Sequence, residues 1–167
     1  MSTRKMALIS LLAALSIVGR IYMTSIPNVQ PSTVIIIITG LVFGARFGFT
    51  VALLTAIGSD FVLGFGFFTA MQVLAWGLVG ILSGLLSRFR TKIPMLVMAC
   101  YAAGCGYLFG FIVSLNVLVA GVPSFIAYWV MGLPFDSYHA VGNFLFYIIL
   151  SPILIKLLEA EKKKLQL

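Results

Sequence analysis

Apolar residues run through this chain in long stretches, and polar positions interrupt those stretches rather than alternating with them. No amphipathic polar face recurs at helical spacing, which argues against a soluble all-helical protein with a large core. Runs of about 20 apolar residues, the length that crosses a bilayer, tile almost the whole sequence. The pattern predicts an all-α polytopic membrane protein with six transmembrane helices, at about 5–25, 31–45, 47–65, 68–86, 93–119 and 134–158. The second is short, about 15 residues or ~22 Å of helix. A segment with Pro123 and Pro134 separates the fifth span from the sixth. Six spans and their turns fill all 167 residues, so 1–167 is one transmembrane domain with no room for a soluble one. Residues 1–18 have the basic front and apolar middle of a signal peptide. Gly19, Arg20 and a bulky Ile-Tyr-Met follow, with no small-x-small cleavage pattern, so the segment reads as a retained span.

Composition supports the class and charge gives it a direction. Hydrophobic residues make up 62% of the chain and charged residues 9%, against about 25% charged in soluble domains. With six spans both termini lie on one side. Arg4, Lys5, Arg46, Arg88, Arg90, Lys92, Lys156 and Lys162–Lys164 all fall on that side, leaving only Arg20 over. The positive-inside rule makes it the cytoplasm. The net charge of +7 is therefore topological, and a nucleic-acid partner is set aside.

The polar residues inside the spans carry the candidate chemistry. Arg20 lies about 15 residues, or ~22 Å, up the first span, in its outer half. Asp60 reaches a similar height in the third. Asp136, His139 and Asn143 open the sixth span at spacings of three and four, hence on one helix face. Gln72 and Trp76 are four apart near the outer start of the fourth. Ionisable groups in hydrocarbon cost several kcal/mol and should face one another or a wet cavity. Their shared depth predicts a cup open to the outside and closed below. The loop TSIPNVQPS, 24–32, would dip in to complete it, with Asn28 and Gln30 offering donors and acceptors to a ligand. The plainer alternative is a structural Arg20–Asp60 ion pair under an ordinary surface turn. Tyr128 and Trp129, with Tyr138, suit either the cup or an interfacial aromatic belt.

Small residues repeat at four-residue spacing in Gly40, Gly44 and Gly48, in Gly80 and Gly84, in Gly106 and Gly110, and in Ser10 and Ala14. Such faces let helices approach closely, and the Ser10/Ala14 face could dock another membrane protein. Cys100 and Cys105, five apart, read as buried packing residues rather than a disulfide or metal site. There is no GxxxxGK[ST] loop for ATP, no zinc constellation around the single histidine, and no matched pair of broken helices. Ser83 in GILSG sits at the opposite depth from His139, against a catalytic dyad. A cup without an engine suggests a capture subunit that borrows energy from partners.

The stretches LISLLAALSIVGR, IPNVQPSTVIIIITGLVFG and GLPFDSYHAVGNFLF carry a family resemblance over essentially the full length. The chain resembles the S components, the substrate-binding subunits of energy-coupling factor (ECF) vitamin transporters, and most of all the branch assigned to cobalamin or its precursors. The resemblance implies a six-helix, non-enzymatic protein of the bacterial cell membrane, with no cofactor. It also implies as partners a vitamin ligand, a transmembrane coupling protein and two ATP-binding-cassette ATPases, with toppling of the subunit carrying the ligand across. The family's AxxxA coupling pattern has its nearest match in Ser10-x-x-x-Ala14. Riboflavin or another vitamin would also suit the polar cup. A small intramembrane enzyme built on Asp60, Asp136 and His139, or a structural membrane subunit, remains the reading from a different class.

Overall fold

The computed structural model describes residues 3–121 and 124–165. It is helical, with no strand among those residues: α1 Thr3–Tyr22, α2 Ser32–Phe43, α3 Ala45–Leu63, α4 Phe67–Leu85, α5 Met95–Ser114, the single turn α6 Asn116–Val119 and α7 Phe125–Lys164. A 3-10 segment, Leu86–Lys92, links α4 to α5. Among the described residues five helices are long and apolar enough to cross a membrane. The expected second span is not among them, because α2 has 12 residues and reaches only ~18 Å.

Helix α2 is the axle of the bundle. Helices α1, α3, α4, α5 and α7 follow one another in contact around it, and each touches it. Among the described residues α1 and α7 do not meet, so α2 fills the space between them. Every residue from Ser32 to Val42 is buried. Every residue of the run Val34–Ile38 is β-branched, and such residues are indifferent helix formers. Burial on all sides overrides that preference, since a helix is the one local structure that satisfies its own backbone inside a membrane.

Outward faces are apolar and inward ones partly polar, the reverse of a soluble protein. Val141, Leu145, Ile149, Ile153 and Leu157 form an exposed ridge on α7, while Ser59, Asp60, His139 and Asn143 are fully buried. Helix α7 corrects an expectation. It begins at Phe125, where Ser124 accepts a hydrogen bond from the Ala127 N–H, and continues without a break through Pro134 and Pro152. The sequence pattern treated Pro134 as a boundary, but a membrane helix tolerates an interior proline when its neighbours cover the freed carbonyl. The expectation about Pro123 falls outside the described residues.

The glycine spacing marks close crossings. A Cβ on Gly40 or on Gly48 would sit 2.6 Å from the Gly80 carbonyl oxygen, so α2, α3 and α4 meet backbone to backbone. Gly44 does something else. It has open space around it but a φ of 92°, which lets α2 turn into α3 over one residue. Gly80→Ala would place its methyl within 2.6 Å of the Gly48 backbone, and the helices must move apart. A loss of about 1–3 kcal/mol is expected from such overpacking, read as a lower unfolding temperature in detergent.

The basic residues gather at one end. Lys162 Nζ donates to the Val42 carbonyl at the C-terminus of α2, 2.7 Å away, where a cation suits the helix dipole. Arg90 pairs with Glu159, and Arg4 and Leu165 line one crevice, which brings the ends of α1 and α7 to the same side.

Candidate functional site

At the opposite end the loop after α1 folds inward as anticipated. Pro31 lies over Gly19, and Val29 packs on Gly142 of α7. Gln30 is 8% exposed. Asn28 adopts a φ of 57°, a left-handed conformation that asparagine tolerates better than most residues. Its amide nitrogen donates to the Phe135 carbonyl at 3.0 Å.

Two cavities adjoin at that contact. One, about 350 Å³, is lined by Arg20, Gln72 and the loop from Pro27 to Gln30. The other, about 470 Å³, lies between α5 and α7, with Asp136, Tyr128, Ser114 and Asn116 on its walls. Asn28, Phe109, Val113 and Phe135 line both, so the Asn28–Phe135 hydrogen bond stands where the two chambers meet.

Beneath them runs a connected polar floor. Arg20 Nη1 donates to Asp60 Oδ1 at 2.8 Å and also to the Ser59 hydroxyl. Thr69 donates to Asp60 Oδ2 at 2.6 Å. The guanidinium lies 5.1 Å from the centre of the Trp76 ring, a cation–π distance. Trp76 Nε1 donates to Thr33 Oγ1 at 2.9 Å, and that hydroxyl hydrogen-bonds His139 Nε2 at 2.8 Å. The arrangement satisfying all three has Thr33 giving its proton to Nε2, which leaves the ring hydrogen on Nδ1, an atom without a partner. Phe109 covers this floor, 4.7 Å from Trp76 and 5.0 Å from His139 between ring centres.

The expected residues therefore divide. Arg20, Asn28, Gln30 and Gln72 line the first cavity, and Asn28, Tyr128 and Asp136 the second. Asp60, Trp76, His139 and Asn143 line neither. They are buried below, where Asn143 donates to the Ala102 carbonyl at 3.2 Å. That His139 and Asn143 share one α7 face was legible in their spacing; the depth of Trp76 and His139 was set by packing, with Phe109 lying over both. Arg20–Asp60 is an ion pair, as the plainer reading held, yet a void lies above it.

Asp136 is different. Its carboxyl rests on Gly110, where a side chain would collide with it. It is 5% exposed, and among the described residues it makes neither an ion pair nor a hydrogen bond. Buried polar atoms without partners also include Gln72 Oε1 and Asn143 Oδ1. An unpaired carboxylate at a cavity wall is costly in the empty protein and useful to a ligand that donates hydrogen bonds.

Other expectations resolve more simply. Trp129 packs edge-on against Phe111, 5.2 Å between centres, and Tyr138 is exposed. Both cysteines are free, but Cys100 faces outward rather than into the core. Ser83 bonds Tyr101 at 2.9 Å. Ser10 and Ala14 lie on the exposed side of α1. A further crevice of about 550 Å³ opens at the other end, among the basic residues. Phe109, Val113 and Phe135 were missed as wall residues, since nothing distinguishes them from other apolar residues in their runs.

A family model described as the substrate-specific component of ECF transporters matches residues 4–151, from the first turn of α1 to the middle of α7. No curated protein and no solved structure matches the chain.

Proposed function

The chain belongs to the family of ECF transporter substrate-specific components, and from that premise we propose that it captures a vitamin in the two chambers capped by the Asn28 loop. Membership makes it a membrane transporter subunit rather than an enzyme, working with a substrate and an ECF module. The observation that carries the capture reading is the contrast between floor and walls. Arg20 and Asp60 neutralise each other below, while Gln72 and Asp136 present unpartnered acceptors to the cavities.

The ligand proposed is cobalamin or a related corrinoid. Its amide arms match a lining of Asn28, Gln30, Gln72 and Asp136, whose acceptors would be left unpaired by a ligand without donors. A corrinoid is larger than either chamber alone, so its entry requires the Asn28–Phe135 bond to open and the two spaces to merge. Riboflavin or another smaller vitamin would occupy one chamber with that bond intact. The partners proposed are the transmembrane coupling protein and two ABC-type ATPases, docked through the exposed Ser10/Ala14 side of α1. The proposed setting is the bacterial plasma membrane, with the basic end and both termini cytoplasmic. Proposed contributions of Asp60, Trp76, His139 and Asn143 are to hold the floor that the ligand rests on.

Calorimetric titration of the solitary purified protein with a vitamin panel tests this. Saturable binding of cobalamin is expected, weakened in Asn28→Gly, which keeps the left-handed backbone and removes the amide. Saturation by riboflavin alone would reassign the ligand. Flat traces throughout would overturn the capture role.

A further inference from the structure

The crevice at the basic end has no part in the capture reading. Fifteen residues of α7, or ~22 Å of helix, separate its Ser151 from Asp136. It lies between the 3-10 segment, the start of α5 and the last turns of α7. Its rim carries Arg90, Lys156, Lys163 and Glu159. Arg90 and Glu159 pair with each other, whereas Lys156 and Lys163 form no ion pair among the described residues. Two uncompensated positive charges therefore face one opening.

Its interior is apolar with two hydroxyls. Ile93, Met98 and Ile155 make the wall. Tyr147 and Ser151 also line it at 2% and 3% exposure, and neither hydroxyl has a hydrogen-bond partner among the described residues. The opening adjoins the outward ridge of Ile149 and Ile153 on α7 and the exposed Met95 and Leu96 on α5. A soluble anion would find charge at the rim but would gain nothing from the apolar wall or from that ridge.

We propose that this crevice is a site for an anionic phospholipid, the phosphate held by Lys156 and Lys163 and an acyl chain lying along the Met95–Ile155 side. Basic pockets between membrane helices suit such head groups, and each lysine near the surface contributes about 1 kcal/mol. The Tyr147 and Ser151 hydroxyls lining the crevice give the glycerol and ester oxygens donors that a zwitterionic lipid would reach only by bringing a cation to the lysines.

The test is thermal unfolding of the full chain in detergent, titrated with phosphatidylglycerol, phosphatidylcholine or soluble glycerophosphate. Phosphatidylglycerol is expected to raise the unfolding temperature, with the other two without effect. Lys156→Gln with Lys163→Gln is expected to weaken that response roughly 30-fold. Both lysines are exposed, so the fold should persist. Lys92→Gln with Lys164→Gln, which removes equal charge outside the crevice, should leave it within about twofold. Equal stabilisation by the two lipids would overturn the proposal. Stabilisation by glycerophosphate, or an equal loss in the control pair, would overturn it too.

Discussion

Asp60→Leu, made alone, is expected to destabilise the protein by about 3–5 kcal/mol, the cost of leaving one buried charge without its partner. The carboxylate is fully buried, takes one hydrogen bond from Arg20 and one from Thr69, and among the described residues is the only anion paired with that guanidinium. Without it Arg20 stays beside Trp76 and Ser59 with its charge uncompensated. The double variant Arg20→Met, Asp60→Leu removes both charges together, and is expected to recover most of the loss. Unfolding of the wild type, Asp60→Leu, Arg20→Met and the double variant in mixed micelles gives the coupling directly. Additive losses would show that the two residues do not act as a pair.

Asp136→Asn is expected to separate binding from stability. The amide keeps the shape that rests on Gly110 but offers a donor where the carboxylate only accepted. Losing a charge-assisted hydrogen bond of about 1.5–3 kcal/mol weakens the vitamin roughly 10- to 100-fold. The unfolding temperature of the empty protein should stay level or rise, because an amide is cheaper to bury than an unpaired carboxylate. Calorimetry and a melting curve on one preparation check both halves. A fall in stability with unchanged affinity would place Asp136 in the framework rather than at the ligand.

These two residues also mark how far the sequence could be read. Asp60 and Asp136 look alike in one dimension, each a lone acid in an apolar run. Depth arithmetic put both near the same end, and the structure agrees. What separates them is the partner distant in sequence: Asp60 meets Arg20 and Thr69, while Asp136 rests on Gly110 and makes no hydrogen bond among the described residues. No spacing rule reaches across 40 residues to choose between those outcomes. Phe109 is a plainer case, one of 14 phenylalanines, and only packing puts it over Trp76 and His139.

The sequence by itself determined the class, the helical content, the gathering of positive charge at one end and the inward loop. Those follow from solvation: lipid admits apolar helices, expels irregular backbone and leaves lysine and arginine at its edges. Tertiary structure alone decided that α2 is a buried axle, that α7 runs on through Pro134, and that the membrane-embedded polar groups split into a closed floor and open walls. Such choices depend on which helix faces which, and that is settled by close fit among distant residues rather than by the preference of any one segment.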